Sequence, residues 1–392
     1  MAGTKRISIL GCRGIPGNHG GFETFAQRIA LSLVERGWTV TVYCENYTCS
    51  ELFEEMWKGV RLIQVPVPNA SAKSTILFDW KSTVHAAQSD DLVLTLGYNT
   101  AIFSFLYRLK GIPNLINMDG LEWKRQKWNL AQRAWLYLNE RLGCWFADHL
   151  IADHPVIADH LATRVPRQKI TMIPYGADPI ETVDSTLIKP YGLSKNKYSI
   201  VIARPEPENN ILEIVSAFSK RQRGLNLVVL GNYYPDQNDY HKQVIDAASD
   251  EVVFTGGIYD QPVVEALRTY AQLYIHGHAV GGTNPSLVEA MAASSPILAH
   301  DNHFTRWVAG SESAFFSDID SCSHQFDILL NNEAKLKEMG RHSLKRYQET
   351  FSADQELFAY EDLFLWAIAD HKATKTTKRK APGHSLVSTY KR

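Results

Sequence analysis

Three things are scarce in this 392-residue chain: cysteine, net charge and uninterrupted apolar sequence. The five cysteines (Cys12, Cys44, Cys49, Cys144 and Cys322) are odd in number and scattered, with no C-x-x-C. Neither a disulfide framework nor a cysteine zinc site is indicated. Lys+Arg 41 against Asp+Glu 42 leaves a formal charge of -1, which gives no hold on a nucleic acid. The longest uncharged stretch, Leu92 to Tyr107, is shorter than the ~20 apolar residues of a spanning helix and carries Gly97-Tyr98-Asn99 inside it. The opening "MAGTKRISIL" lacks the flanks of a signal peptide and reads as a first strand. Two nucleotide fingerprints are missing as well. Gly11, Gly14, Gly17, Gly20 and Gly21 do not space as G-x-G-x-x-G, and no GK[ST] closes the loop. These absences point to a soluble protein of a reducing, cytoplasmic compartment and disfavour an NAD oxidoreductase.

What is present is alternation. A strand at Ile7–Leu10, a glycine-rich loop, a helix at Phe22–Arg36 with Gly37 as its C-cap, and a strand at Thr39–Tyr43 open the chain. Strands follow at "LVLTLG", "PNLINMDG" and "HLIAD". A polar stretch, Glu181 to Asn196, reads as a linker. The pattern restarts with "YSIVIA", "NNILEIVSAFSK", "LNLVVLG", "VVFTG", "VVEALRTY", "QLYIHG" and "PILAH". Such alternation predicts an α/β chain of two Rossmann-like, doubly wound parallel-sheet domains. The first spans 1–185 and the second 186–350. A helix over 351–370 packs back on the first, and a basic disordered tail fills 371–392. Ligands of such sheets bind at the carboxyl ends of the strands, so both glycine-rich loops should face a central cleft.

Four stretches carry candidate chemistry. In "HAVGGTNPSLVEAMA", His278 to Ala292, Asn284 is an N-cap and Pro285 suits the first helical position. Gly281 and Gly282 allow close backbone approach, and the N–H groups of the helix start favour an anion. Glu289, about one turn in, could accept hydrogen bonds from hydroxyl groups. In "ARPEPENN", Arg204 emerges at a strand end, where a guanidinium can grip two phosphate oxygens. In "NMDGLEWKRQKW", Asp119 or Glu122 could orient or deprotonate an acceptor hydroxyl; both could equally be first-turn acids of a helix. The segment Trp128, Ala131, Trp135, Leu138, Leu142, Trp145 recurs at helical spacing and reads as core, the alternative being an aromatic stripe at a membrane surface. Its basic rim, Lys124, Arg125, Lys127, Arg133 and Arg141, remains able to meet lipid head groups. Asp318-Ile319-Asp320 reads as a helix cap, and the three Asp-His pairs at 148–149, 153–154 and 159–160 fit no metal site.

"GGFETFAQRIALSLVERGWTVTVY", "KITMIPYGAD", "FTGGI" and "GGTNPSLVEAMAAS" resemble a glycosyltransferase of family 4, with the two-domain GT-B fold. "RGIPGNHGGFETFA", "DGLEWKRQKW", "ARPEPENNI" and "HAVGGTNPS" resemble more closely its rhamnosyltransferase-like subgroup of bacterial polysaccharide synthesis, which builds capsules, O-antigens and rhamnose-rich polymers. The resemblance covers roughly residues 5 to 365. It implies retaining transfer from a nucleotide sugar, best dTDP-L-rhamnose, to a polyprenyl-diphosphate-linked saccharide, with no metal and no cofactor. A UDP- or GDP-sugar, a nucleotide-sugar 2-epimerase and a non-catalytic nucleotide-sugar sensor are the alternatives. Peripheral contact with the inner membrane follows from such an acceptor. By position, Glu289 matches the second glutamate of the family's E-x7-E element, which binds the donor ribose. Gly282, Thr283 and Asn284 would offer N–H groups to the diphosphate or sugar, and His278 opens the same loop. Arg204 matches the phosphate-binding arginine, Gly20 and Gly21 the glycine pair of the N-domain. Gly256 and Ile258 lie where the base is held through main chain. Two positions depart: the first glutamate is Gly281, and the lysine expected after Arg204 is Asn209.

Overall fold

The computed structural model describes residues 5–17, 20–125 and 127–376. The chain divides into two compact units, Met1–Pro174 with Glu356–Arg392, and Tyr175–Gln355.

In the first unit the elements run β1 (Arg6–Leu10), α1 (Gly21–Glu35), β2 (Thr39–Asn46), β3 (Phe53–Trp57), β4 (Val60–Pro66), α2 (Ala72–Ala86), β5 (Leu92–Leu96), α3 (Phe105–Lys110), β6 (Asn114–Asn117), α4 (Leu130–Phe146), β7 (His149–Ala152), α5 (Pro155–Ala162) and β8 (Ile170–Met172). The sheet order is β3-β4-β2-β1-β5-β6-β7-β8, parallel except for the β3/β4 hairpin. In α1, Phe25, Ala26, Ile29, Ala30 and Leu33 form the buried face, the spacing that makes it a helix. Each such large side chain stabilises by roughly 1.5–3 kcal/mol.

Strand order reverses at β1, which pairs with β2 on one side and β5 on the other. Right-handed crossovers therefore put α1 on one face of the sheet and α2, α3, α4 and α5 on the other.

The second unit continues with β9 (Tyr198–Ile202), α6 (Ile211–Ser219), β10 (Asn226–Leu230), α7 (Asp239–Asp246), β11 (Val252–Gly256), α8 (Gln261–Thr269), β12 (Leu273–His276), α9 (Pro285–Ala292), β13 (Ile297–His300), α10 (His303–Ala309), β14 (Ala314–Phe316), α11 (Ile319–Leu329) and α12 (Glu333–Thr350). Its sheet, β11-β10-β9-β12-β13-β14, is wholly parallel. The reversal falls between β9 and β12. The last helix, α13 (Ala353–Thr376), gives most of its length to the first unit. There Tyr360 lies 4.8 Å from the Phe25 ring and accepts a hydrogen bond from Asn117, while Glu361 binds Lys5, Arg36 and Trp38.

Several expectations differ from what the fold contains. The stretch Glu181–Asn196 is no free linker: Ile188 and Leu193 are buried in the second core, and a 3-10 turn spans Ser185–Tyr191. The last helix runs past His371 to Thr376; the rest of the basic tail lies outside the described residues.

The aromatic stripe of α4 is the clearest correction. Leu136, Asn139, Glu140, Gly143 and Cys144 face inward, while Trp135, Leu138 and Trp145 face solvent. Glu140 pairs with His160 and Arg164, and Asn139 accepts from the Ile102 N–H. The buried face of α4 is polar because partners distant in sequence satisfy it. Asp318, by contrast, caps α11 as expected, accepting from Ser321 N–H at 2.7 Å. Among the described residues no helix is long and apolar enough to cross a membrane.

Candidate functional site

The reversal of strand order in the second unit opens two neighbouring loops at the carboxyl ends of β9 and β12, the position where open α/β sheets take ligands. After β9 comes Arg204, its side chain exposed. Its carbonyl accepts from Glu206 N–H and from the Asn209 amide at 2.8 Å. Asn209 is itself only 4% exposed, so its carboxamide is turned inward and shapes the Arg204 loop.

After β12 comes the His278–Asn284 loop. It is clamped to the first: Ala279 N–H donates to Glu208 carbonyl, and Asn210 donates to Gly277 carbonyl at 2.7 Å. A Cβ on Gly277 would lie 2.0 Å from Asn209 carbonyl oxygen, so only glycine permits this approach.

The second loop ends as its sequence predicts. Asn284 accepts from Ser286 N–H at 3.0 Å, Pro285 occupies the first turn, and Leu287, Val288 and Met291 are buried. Gly282 is half-buried and Thr283 nearly covered. Glu289 keeps its carboxylate 33% exposed and pairs with Arg268, whose side chain is 4% exposed. Arg268 also donates to Ser286 Oγ at 3.4 Å, which meets Tyr274 hydroxyl at 2.7 Å. Tyr274, His276 and His278 share one face at period two, and the two imidazoles stack at 4.3 Å. Burial first, then the neighbouring His278, holds His276 well below the ordinary histidine range, so it is neutral. Gly256 ends β11 and Ile258 follows it, two strands from β9, where Gly257 N–H donates to Asn232.

Sequence reasoning missed Arg268, Ser286, Tyr274 and His276. The alternation in "LYIHGHA" signals the last two. Nothing local signals Arg268, which lies on a different helix from Glu289.

Gly20, Gly21, Asp119 and Glu122 belong to the first unit. Gly20 precedes α1 as its N-cap residue and makes no side-chain cap hydrogen bond. Glu23 and Gln27 of α1 accept from Arg13 and Gly17 N–H, tying the glycine-rich loop to the helix. At the β1/β5 reversal Gly11 has φ +85, and a Cβ there would stand 2.1 Å from Leu96 carbonyl oxygen. The Phe22 ring meets Gly97, and Tyr98 hydroxyl accepts from Glu122 N–H at 2.9 Å. These contacts put the start of α1 and the loop after β6 on one rim.

The two acids are not equivalent. Glu122 is paired with Arg125 at 2.7 Å and accepts from the Trp128 indole at 3.3 Å. Asp119 sits at φ +49, a strained backbone for a non-glycine residue. Burial, then the Glu122 charge, pushes its carboxyl up to about 6.

Two parallel-sheet units of this kind form the GT-B fold, and comparison with solved structures shows it directly. The chain is similar to sucrose-phosphate synthase (tll1590) from Thermosynechococcus elongatus, with a TM-score of 0.77, 16% identity, and 93% of this chain and 100% of that one covered. It is similar to Anabaena Alr3699/HepE in complex with UDP and glucose (TM-score 0.71, 14% identity, 92% and 99% covered). A third likeness is to α,α-trehalose 6-phosphate synthase from Burkholderia multivorans (0.72, 11% identity, 96% and 99%). Residues 184–346 match the family model "Glycosyl transferases group 1", and residues 4–178 match "Domain of unknown function (DUF1972)". A search of curated proteins found no match. The chain thus has the GT-B fold, and the greater part of its second unit is similar to the group 1 glycosyltransferase model.

Proposed function

We propose that the chain is a retaining, metal-independent glycosyltransferase that moves L-rhamnose from dTDP-L-rhamnose onto a polyprenyl-diphosphate-linked saccharide in bacterial cell-surface polysaccharide synthesis. One observation carries the reading: Arg204 and the Gly282–Asn284 helix start flank the single strand-order reversal of the group 1 domain. A guanidinium and helix-terminal N–H groups there suit a departing diphosphate. The bond from the anomeric carbon to the phosphate oxygen breaks as the acceptor oxygen bonds to that carbon. The acceptor proton passes to the leaving phosphate or to Asp119. Glu289, steadied by Arg268, accepts from the donor ribose, and the main chain at Gly256 and Ile258 borders the base.

A second reading keeps the chemistry and changes the donor to a UDP-sugar. Its support is the similar HepE structure, which holds UDP and glucose.

A thermal-shift panel of dTDP, UDP, GDP, NAD and dTDP-rhamnose tests both. A ligand at about 100 times its Kd adds ~2.7 kcal/mol to the folded state. A shift with dTDP ligands alone supports rhamnose; a shift with UDP alone transfers the assignment to the second reading. No shift with any nucleotide removes both.

At the ribose, Glu289→Ala is expected to raise the donor KM about tenfold with kcat little changed, a loss near 1.4 kcal/mol. Arg268→Met should raise KM in the same way, because the carboxylate loses the group that orients it, and Arg268→Lys should recover part. Unchanged donor kinetics in Glu289→Ala would remove the ribose role.

A further inference from the structure

The strand that runs into the candidate site ends in a histidine whose polar edge the chain leaves unsatisfied. Tyr274 and His276 on β12, and His278 just past it, alternate along the backbone, so their rings project to one side. Tyr274 and His276 stack at 6.2 Å with planes 21° apart, and His276 and His278 at 4.3 Å with planes 8° apart. The His276 imidazole therefore lies in a stack that fixes its plane. It is 1% exposed, and neither ring nitrogen meets a hydrogen-bond partner among the described residues. Buried polar groups are as a rule hydrogen-bonded, so an imidazole with two unpaired nitrogens marks a place for a ligand group.

His276 lines a small cavity with room for about one water-sized group. Val280, Leu287, Phe304 and Val308 form its apolar wall, and Gly282 and Asn284 belong to the same lining. Those last two residues start the helix proposed above for the diphosphate and sugar, so the cavity adjoins the group to be transferred. Charge decides what the cavity takes. An imidazolium would suit a phosphate oxygen, but a buried cation needs a counter-charge, and the titratable neighbours of His276 are His278 and His300, which oppose a proton on it. A neutral imidazole offers one donor and one acceptor, and a sugar hydroxyl is both as well.

We propose that His276 is a specificity-determining residue whose imidazole takes one hydroxyl group of the transferred sugar into this cavity, through a hydrogen bond to a ring nitrogen. Stacking fixes the plane of the ring while no protein group fixes its tautomer, so the incoming hydroxyl selects it. The apolar wall keeps water from competing, and a sugar without that hydroxyl forfeits the bond. The inference rests on the nucleotide-sugar reading and deepens it, since it names a residue that tells one sugar from another while the nucleotide is held elsewhere.

The test compares dissociation constants, measured by calorimetry on the full chain, for dTDP, dTDP-L-rhamnose and rhamnosyl donors lacking one hydroxyl at a time. The same series built on UDP-glucose serves where UDP is the nucleotide bound. One deoxy donor is expected to bind about tenfold more weakly than the complete sugar nucleotide. His276→Phe keeps a stacking ring without nitrogens; it should weaken the complete donor about tenfold, leave the bare nucleotide unchanged, and bind that deoxy donor as the parent does. His276→Gln restores a donor and an acceptor and should recover part of the loss; it also serves should the phenylalanine variant fail to fold. Deoxy donors that all match the complete sugar in the parent overturn the proposal and assign the cavity to a buried water. Deoxy donors that lose as much in the His276 variants as in the parent also overturn it, giving the hydroxyl to another group. Binding of neither dTDP nor UDP removes the nucleotide-sugar reading and the proposal together, whereas either overturning result with bound nucleotide removes the proposal alone.

Discussion

Arg204→Ala is expected to lower kcat/KM for the nucleotide-sugar donor by about 100-fold, a loss near 2.7 kcal/mol of transition-state stabilisation. The leaving diphosphate gains charge as the glycosidic bond breaks, and a guanidinium offers it two parallel N–H donors. The position expected to hold a second cation is Asn209, whose amide is committed to the Arg204 carbonyl. On the proposed reading the phosphate grip rests on fewer charges, so removing this one is expected to have a large effect. Stability should be almost unaffected, because the hydrogen bonds that shape the loop use the Arg204 carbonyl and its side chain is exposed. Arg204→Lys should recover only part, since an ammonium cannot bind in the bidentate manner. Steady-state kinetics decide it: a kcat/KM within about threefold of the parent would leave the diphosphate to the helix start alone.

Asp119→Asn is expected to separate stability from activity. Its carboxyl is raised in the folded chain from 3.8 to about 6, so the folded state holds the proton more tightly than the unfolded chain does. That contribution to stability is complete below about pH 4 and is lost as pH rises through about 6. Above this range the ionised, buried carboxylate opposes folding, and asparagine removes the charge while tolerating the left-handed backbone. The variant should therefore be more stable than the parent by roughly 3 kcal/mol at about pH 8, with no such gain at about pH 4. If Asp119 takes the acceptor proton, kcat falls by about 100-fold or more, and the acid limb of the parent's rate profile bends near pH 6. Equal stabilisation at both pH values would contradict a raised carboxyl. Unchanged kcat would leave the proton to the departing phosphate.

Local rules carried much of the fold into view from the sequence. The helix start at Asn284-Pro285, the β1–α1–β2 opening and the Asp318 cap are set by residues within a turn or two of one another, and such relations survive in the linear chain. Arg204 was legible for the same reason, as an arginine following a strand. The amphipathic period of α4 was legible too, but the side that turns inward was not. Its inner face carries Asn139 and Glu140, whose burial depends on Ile102, His160 and Arg164 arriving from other elements. Hydrophobicity alone favours the opposite orientation.

The inward turn of the Asn209 amide and the Arg268–Glu289 pair were decided likewise by tertiary structure. The difference in environment between Asp119 and Glu122 follows the same logic. Both acids look alike in "NMDGLEWKR", and only the folded chain pairs Glu122 with Arg125 while leaving Asp119 at φ +49 with a raised carboxyl. The sequence by itself determined the alternation of elements, their caps and the loops that end at strand termini, because neighbouring residues decide those. Which polar groups pair, which face of a helix is wet and which acid keeps a perturbed proton were settled by contacts between distant segments, whose energies depend on burial that no local pattern encodes.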